Sequence, residues 1–129
     1  MKLLLDTHVW LWWNMQPERL RKRSRALIRD VSNQVFLSPA SSWEIAIKTT
    51  IGKLELPVPL EQMVTESLNH DNMQSLPLHH RHCFELSELP LLHKDPFDRV
   101  LIAQARVEGL TLMTVDPMIP RYDVKTWKA

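Results

Sequence analysis

A chain of 129 residues, 44% hydrophobic and 24% charged, is long enough to bury one core and too short for two, and this composition excludes a disordered segment or a fibre. Two glycines, Gly52 and Gly109, cannot make a dinucleotide-binding G-x-G-x-x-G or a phosphate-cradling P-loop, and the lone Cys83 excludes an internal disulfide and a cysteine-rich zinc site, as suits a reducing cytoplasm. The net charge of +1 hides a basic stretch: between Glu18 and Asp30 six cations stand against two acids, so that segment carries +4 and the rest of the chain −3.

Residues 1–5 open like a secretion leader, but Asp6 and His8 interrupt the apolar run and no small-residue cleavage site follows. Residues 2–6 instead read as a strand with no alternation, the pattern of a strand covered on both faces of a parallel sheet, ending in the carboxylate of Asp6. Residues 9–14 make a Trp-rich helical stretch. After Pro17 a second helix places Leu20, Leu27, Ile28 and Val31 on one face and the arginines on the other. Residues 35–37 are the second strand, stopped by Ser38-Pro39, an N-cap followed by proline in the first turn. That helix is expected to run to about Ile51, with Gly52 as a left-handed cap. A helix over about 60–70, a third strand over 73–78 and a short helix over 79–89 follow. Asp95-Pro96-Phe97-Asp98 is a strong helix start with Asp95 as cap, and that apolar helix stops at Gly109. A fourth strand over 110–115 and a terminal strand within 123–127 complete one α/β domain over residues 1–129, with a parallel sheet covered on both faces. No apolar run is long enough to span a bilayer.

In such a sheet ligands bind beyond the carboxyl ends of the strands, and four acids fall there: Asp6 after strand one, Glu44 in the helix after strand two, Asp98 in the helix before strand four, and Asp116 after strand four. Taken singly, each has an ordinary explanation. Asp6 and Asp116 suit caps or turns, Glu44 can pair with Lys48 at i,i+4, and Asp98 suits a helix N-terminus. Taken together, four converging carboxylates must take up protons unless a divalent cation supplies positive charge, and an all-oxygen set suits Mg²⁺ or Mn²⁺. Asp95 already fills the cap position, which leaves Asp98 without a structural duty. Glu44 lies among Trp43, Ile45, Ala46 and Ile47, where an unpaired acid is costly.

Residues 3–10 (LLLDTHVW), 38–46 (SPASSWEIA), 95–99 (DPFDR) leading into 101–105 (LIAQA), and 112–116 (LMTVD) occur in an order that resembles the PIN domain family, and within it the small toxin nucleases of VapC type. The resemblance extends from residue 3 to residue 116. It implies an α/β/α sandwich with a five-stranded parallel sheet in the order 3-2-1-4-5, and a Mg²⁺- or Mn²⁺-dependent endoribonuclease. The family's acids map onto Asp6, Glu44 and Asp98, a more variable fourth onto Asp116, and the polar residue that orients the site onto Thr114, with Thr7 adjacent on strand one. The same resemblance implies an RNA substrate, a cognate antitoxin protein and a homodimer. Arg99 stands where many relatives carry a small residue, and Asp95 offers a second carboxylate beside Asp98.

The basic helix face can meet a phosphate backbone or simply be solvated. Trp10, Trp12 and Trp13 cannot all face inward on one helix, so at least one of the tryptophans, Trp43 included, is expected to meet a partner. His79, His80, His82 and Cys83 invite a zinc site, although no Cys-x-x-Cys or His-Glu-x-x-His pattern supports it. His8, two residues from Asp6, is either a sensor or a packed histidine. The alternative function is a non-catalytic PIN-fold binding module, which four intact acids count against. A phosphoacceptor domain or an Asp-x-Asp phosphatase would want a second acid where His8 stands.

Overall fold

The structure, a computed structural model, describes residues 1–129. Five strands, β1 (Lys2–Leu5), β2 (Gln34–Leu37), β3 (Met73–Ser75), β4 (Thr111–Thr114) and β5 (Thr126–Lys128), alternate with helices α1 (Thr7–Met15), α2 (Lys22–Arg29), α3 (Pro39–Thr50), α4 (Leu60–Asn69), α5 (His80–Glu88) and α6 (Pro96–Glu108). Every strand pair is parallel and the order is β3-β2-β1-β4-β5. The order and the sandwich architecture agree with the expectation.

The period-two geometry of a strand divides the core between the two faces. Leu3 and Leu5 point to one side, where Val35, Leu37, Met73 and Met113 meet Val9 and Trp10 of α1, Ile28 of α2, Ile45 of α3 and Met63 of α4. Leu4 and Leu112 point to the other, against Leu101, Ile102 and Ala105 of α6. Trp10 is fully buried and its indole N–H donates to Ser67 Oγ at 2.9 Å, which satisfies the one polar atom it brings inside.

The punctuation works as the sequence indicates. Ser38 Oγ accepts the Ala40 N–H, Asp95 Oδ1 accepts from Phe97 and Asp98, and Gly109 ends α6 at φ 68°, a left-handed conformation that any side chain would strain. The differences have local causes. Helix α1 starts at Thr7 rather than Val9, because Asp6 caps it by accepting the Val9 N–H at 2.8 Å; Thr7 therefore belongs to the helix and not to strand one. Helix α2 ends at Arg29, so Val31 lies beyond the amphipathic face and is 83% exposed. Strand β3 stops at Ser75; the Leu76 N–H makes a last bond to Leu37 O, and Pro77 has no N–H to continue. Strand β5 starts at Thr126, later than expected, after a helical turn over Ile119–Arg121. No helix is long and apolar enough to cross a membrane.

Candidate active site

Asp6 leaves the carboxyl end of the central strand and is 2% exposed. One of its oxygens caps α1, and the other accepts the Thr114 hydroxyl from the end of the neighbouring strand β4. Thr114 Oγ1 in turn accepts the Asp116 N–H at 3.0 Å, and Asp116 Oδ1 accepts the Met118 N–H at 2.8 Å. A single side chain, Thr114, thus ties the Asp6 carboxylate to the turn that carries Asp116. Burial pushes the Asp6 carboxyl above its ordinary range, against the opposing pull of the Thr114 and Val9 hydrogen bonds and of the nearby, exposed His8.

Asp98 enters from the first turn of α6, which Asp95 caps. Its carboxyl is pushed up to about 8, by burial first, then by the charges of Asp95 and Asp116, by a hydrogen bond with Asp116 and by the charge of Asp6. Asp6, Asp98 and Asp116 therefore lie near one another, with the Asp116 carboxylate beside that of Asp98. Neither these three carboxylates nor Asp95 is ion-paired with any Lys or Arg. The only side-chain base on Asp98 is His93, whose Nε2 lies 3.2 Å from Asp98 Oδ2 and whose Nδ1 lies 2.7 Å from the Tyr122 hydroxyl.

Glu44 is brought to the same region on α3, which meets α6 through the edge-on contact of Trp43 with Phe97, ring centroids 5.1 Å apart. Its carboxylate is 3% exposed and is held by Lys48 Nζ at 2.6 Å, one turn along the same helix. The side chains as they stand bring no three of Asp, Glu, His or Cys to metal-ligand spacing. Three of the expected acids are thus electrostatically coupled, and the fourth is neutralised by its own helix. Neighbouring carboxylates that are withdrawn from water and have no Lys or Arg partner have the chemistry of an oxygen-ligand site for a hard divalent cation, so the donor set fits Mg²⁺ or Mn²⁺.

Beside the acids, a cleft of about 440 Å³ opens between α1 and α3, lined by Thr7, His8, Trp12 and the cations Arg19, Lys48 and Lys53 among others. The Thr7 hydroxyl donates to Ser41 Oγ at 3.0 Å, which ties α1 to α3 beside this cleft.

A model of the PIN domain family matches residues 3–125. The chain belongs to the PIN domain family. Ribonuclease VapC16 of Mycobacterium tuberculosis is 39% identical to this PIN domain over 59 residues, a stretch that covers 46% of the chain and 42% of that protein. The chain superimposes on VapBC2 of Rickettsia felis, solved bound to a promoter DNA fragment, with a TM-score of 0.74 at 17% identity, covering 98% of each chain. FitAcB of Neisseria gonorrhoeae gives 0.67 at 20% identity, covering 98% of this chain and 96% of that one. VapBC-1 of nontypeable Haemophilus influenzae gives 0.64 at 17%, covering 99% and 98%. At these identities the structural likeness is one of fold.

The histidines do not form a zinc site: His79 lies outside α5 as its cap, its N–H donates to His82 Nδ1 at 3.0 Å, the fully buried His82 is bound through Nε2 to Glu108 at 2.8 Å, and Cys83 is exposed. The arginines of the basic segment are largely engaged. Arg19 lies over Trp12 at 4.1 Å, Arg29 over Trp13 at 5.4 Å, Arg21 donates to Lys128 O and Arg25 to Pro17 O. Trp12 and Trp13 are thereby covered from within the chain, and Trp43, 57% exposed, is the tryptophan left open. The sequence reading missed His93 and Tyr122; they lie 29 residues apart, and no local pattern joins them.

Proposed function

We propose that this PIN domain is a Mg²⁺- or Mn²⁺-dependent endoribonuclease, the toxin of a toxin-antitoxin pair that works in the cytoplasm as a homodimer and is held inactive by a cognate antitoxin. The observation that carries the metal-dependent reading is the group of Asp6, buried, with Asp98 and Asp116, half-buried, none of them paired with a Lys or Arg. The relatives support the class of activity, since one is named a ribonuclease and others are toxin-antitoxin complexes.

Asp6, Asp98 and Asp116 would hold the cation, joined by Glu44 once Lys48 releases it. When bound, the cation balances their charge and lowers the pKa of a water that attacks an RNA phosphodiester. Thr114 fixes the direction of the Asp6 carboxylate. Asp95, by capping α6, holds Asp98 at the helix's positive end. Arg19, Lys48 and Lys53 line the adjoining cleft, where they can meet phosphates of a single strand. The rival reading, a PIN fold that binds without cutting, draws on the Glu44–Lys48 pair, which withholds one acid from the group.

The test is cleavage of structured and single-stranded RNAs by the wild type and by Asp6→Asn, each with Mg²⁺, Mn²⁺ or a chelator. The expected result is metal-dependent cleavage by the wild type and none by the variant. Asp6→Asn should melt no lower than the wild type in the absence of metal, because it removes a buried charge from a like-charged group. Normal cleavage by Asp6→Asn would take Asp6 out of the site, and cleavage that survives the chelator would overturn the metal-dependent reading.

A further inference from the structure

One network reaches the acids from residues to which the proposed chemistry gives no role. It runs from Arg99 and Tyr122 through His93, in the segment ahead of α6, to Asp98. The direction of its protons follows from counting donors. The Tyr122 hydroxyl oxygen receives the His93 backbone N–H at 3.1 Å and an Arg99 Nη1–H at 3.1 Å, which occupies both of its lone pairs. Its own proton is left to donate, and its remaining neighbour is His93 Nδ1 at 2.7 Å. Nδ1 is therefore an acceptor, and the proton of the neutral ring sits on Nε2, facing Asp98 Oδ2 at 3.2 Å.

We propose that Tyr122 and Arg99 lock His93 in its Nε2–H tautomer, making His93 a positioning residue that holds one oxygen of Asp98 and leaves the other for the active site. The surroundings suit a fixed element. Tyr122 is 3% exposed in the core behind α6, and the imidazole meets its ring edge-on at a centroid distance of 5.3 Å. Arg99 anchors the far end, donating also to Pro90 O at 2.9 Å, so the guanidinium grips both the phenol and the loop that carries His93. Carboxylates and histidines at metal centres are held by such outer partners, whose loss costs about 10–100-fold in metal affinity or activity. The consequence for Asp98 rests on the metal-dependent reading; the lock itself does not.

The experiment pairs two readouts. Long-range ¹H–¹⁵N NMR of the histidine rings in metal-free protein reads the tautomer, with the His93 signals identified by their loss in His93→Gln. Mn²⁺ titration of the same proteins reads the site. The wild type is expected to carry the His93 proton on Nε2, and Tyr122→Phe to populate the Nδ1–H form. Mn²⁺ affinity is expected to fall by about tenfold or more in His93→Ala and to stay within about threefold of wild type in His93→Gln, whose amide N–H can replace the one on Nε2. A wild-type proton on Nδ1, a tautomer indifferent to Tyr122→Phe, or equal Mn²⁺ affinity in His93→Ala and wild type would each overturn the proposal. Should His93→Ala not fold, Tyr122→Phe decides in its place, with weakened Mn²⁺ binding expected and unchanged binding overturning it. A wild type that takes up no Mn²⁺ overturns the metal-dependent reading instead, and the tautomers of wild type and Tyr122→Phe then uphold or overturn the lock alone.

Discussion

Helix α6 carries a carboxylate at each end, Asp98 in its first turn and Glu108 as its last residue, and the fold treats them in opposite ways. The helix dipole favours an anion at the first turn and opposes one at the last, by about 0.3–1 kcal/mol. The directions in this fold are the reverse: Asp98 is pushed up to about 8 by burial and by neighbouring acids, whereas the hydrogen bond from His82, with Arg81 beside it, holds Glu108 below the usual carboxylate range. Burial and immediate partners therefore outweigh the dipole. The chain furnishes Glu108 with an arginine at 2.9 Å and a histidine at 2.8 Å, while Asp98 receives one imidazole N–H and the company of other acids. Glu108 is an anchor between α5 and α6, and Asp98 has the surroundings of a group awaiting a cation from outside.

The largest effect that could break this contrast is expected from Asp98→Asn. Between pH 3.8 and about 8 the folded protein keeps a proton on Asp98 that the unfolded chain has released, so this group makes stability decline as pH rises through that window. At pH 8, without metal, the Asn variant should be more stable than wild type by about 3 kcal/mol. That is roughly half of what the shift would give at ~1.4 kcal/mol per unit, because Asp98 keeps some solvent contact and titrates together with Asp116. Urea unfolding across pH should show the gain shrinking towards zero near pH 4, and a variant no more stable at pH 8 would remove the contrast.

Glu108→Ala should act in the other direction, costing about 1–2 kcal/mol at pH 7 by leaving the fully buried His82 with an unpaired N–H. Glu108 has a depressed pKa, so its contribution is complete above 4.5 and is lost as pH falls through its folded value. The deficit of the Ala variant should therefore narrow on acidification, as the gain of Asp98→Asn does over its own, higher pH window. A smaller change sharpens the comparison by moving Glu44 between the two classes. Lys48→Met removes the cation that neutralises it and should cost about 1 kcal/mol in metal-free thermal unfolding. In the same variant Mn²⁺ should bind more tightly than in wild type; weaker or equal binding would leave Glu44 as an anchor like Glu108.

How much of this was legible in the sequence follows from the range of each interaction. The cap at Asp95, the Ser38-Pro39 helix start and the left-handed Gly109 are encoded within a few residues, and each was readable. So was the possibility that Glu44 pairs with Lys48, which is a one-turn contact on its own helix. The early start of α1 was missed because the strand was read through Asp6 and the helix from residue 9, although Asp6 was also readable as a cap, and a carboxylate three residues before Val9 caps a helix that begins at Thr7. The bonds from His82 to Glu108 and from Tyr122 to His93 span 26 and 29 residues, and nothing in the local spelling announces them. The zinc possibility, which no ligand pattern in the sequence supported, closes on a contact of the same long range: His82 Nε2 meets Glu108 because of how α5 packs on α6.

By itself the sequence determined the alternation of strands and helices, the covered parallel sheet and the placing of four acids at its carboxyl edge, because these follow from periodicity, capping and the direction in which each strand runs. Tertiary structure alone decided how deeply each acid is buried and which acids meet across the fold. Burial, the approach of Asp116 to Asp98 and the grip of Thr114 on Asp6 depend on distances across the fold, and the energies of carboxylates change steeply with those distances once water is excluded.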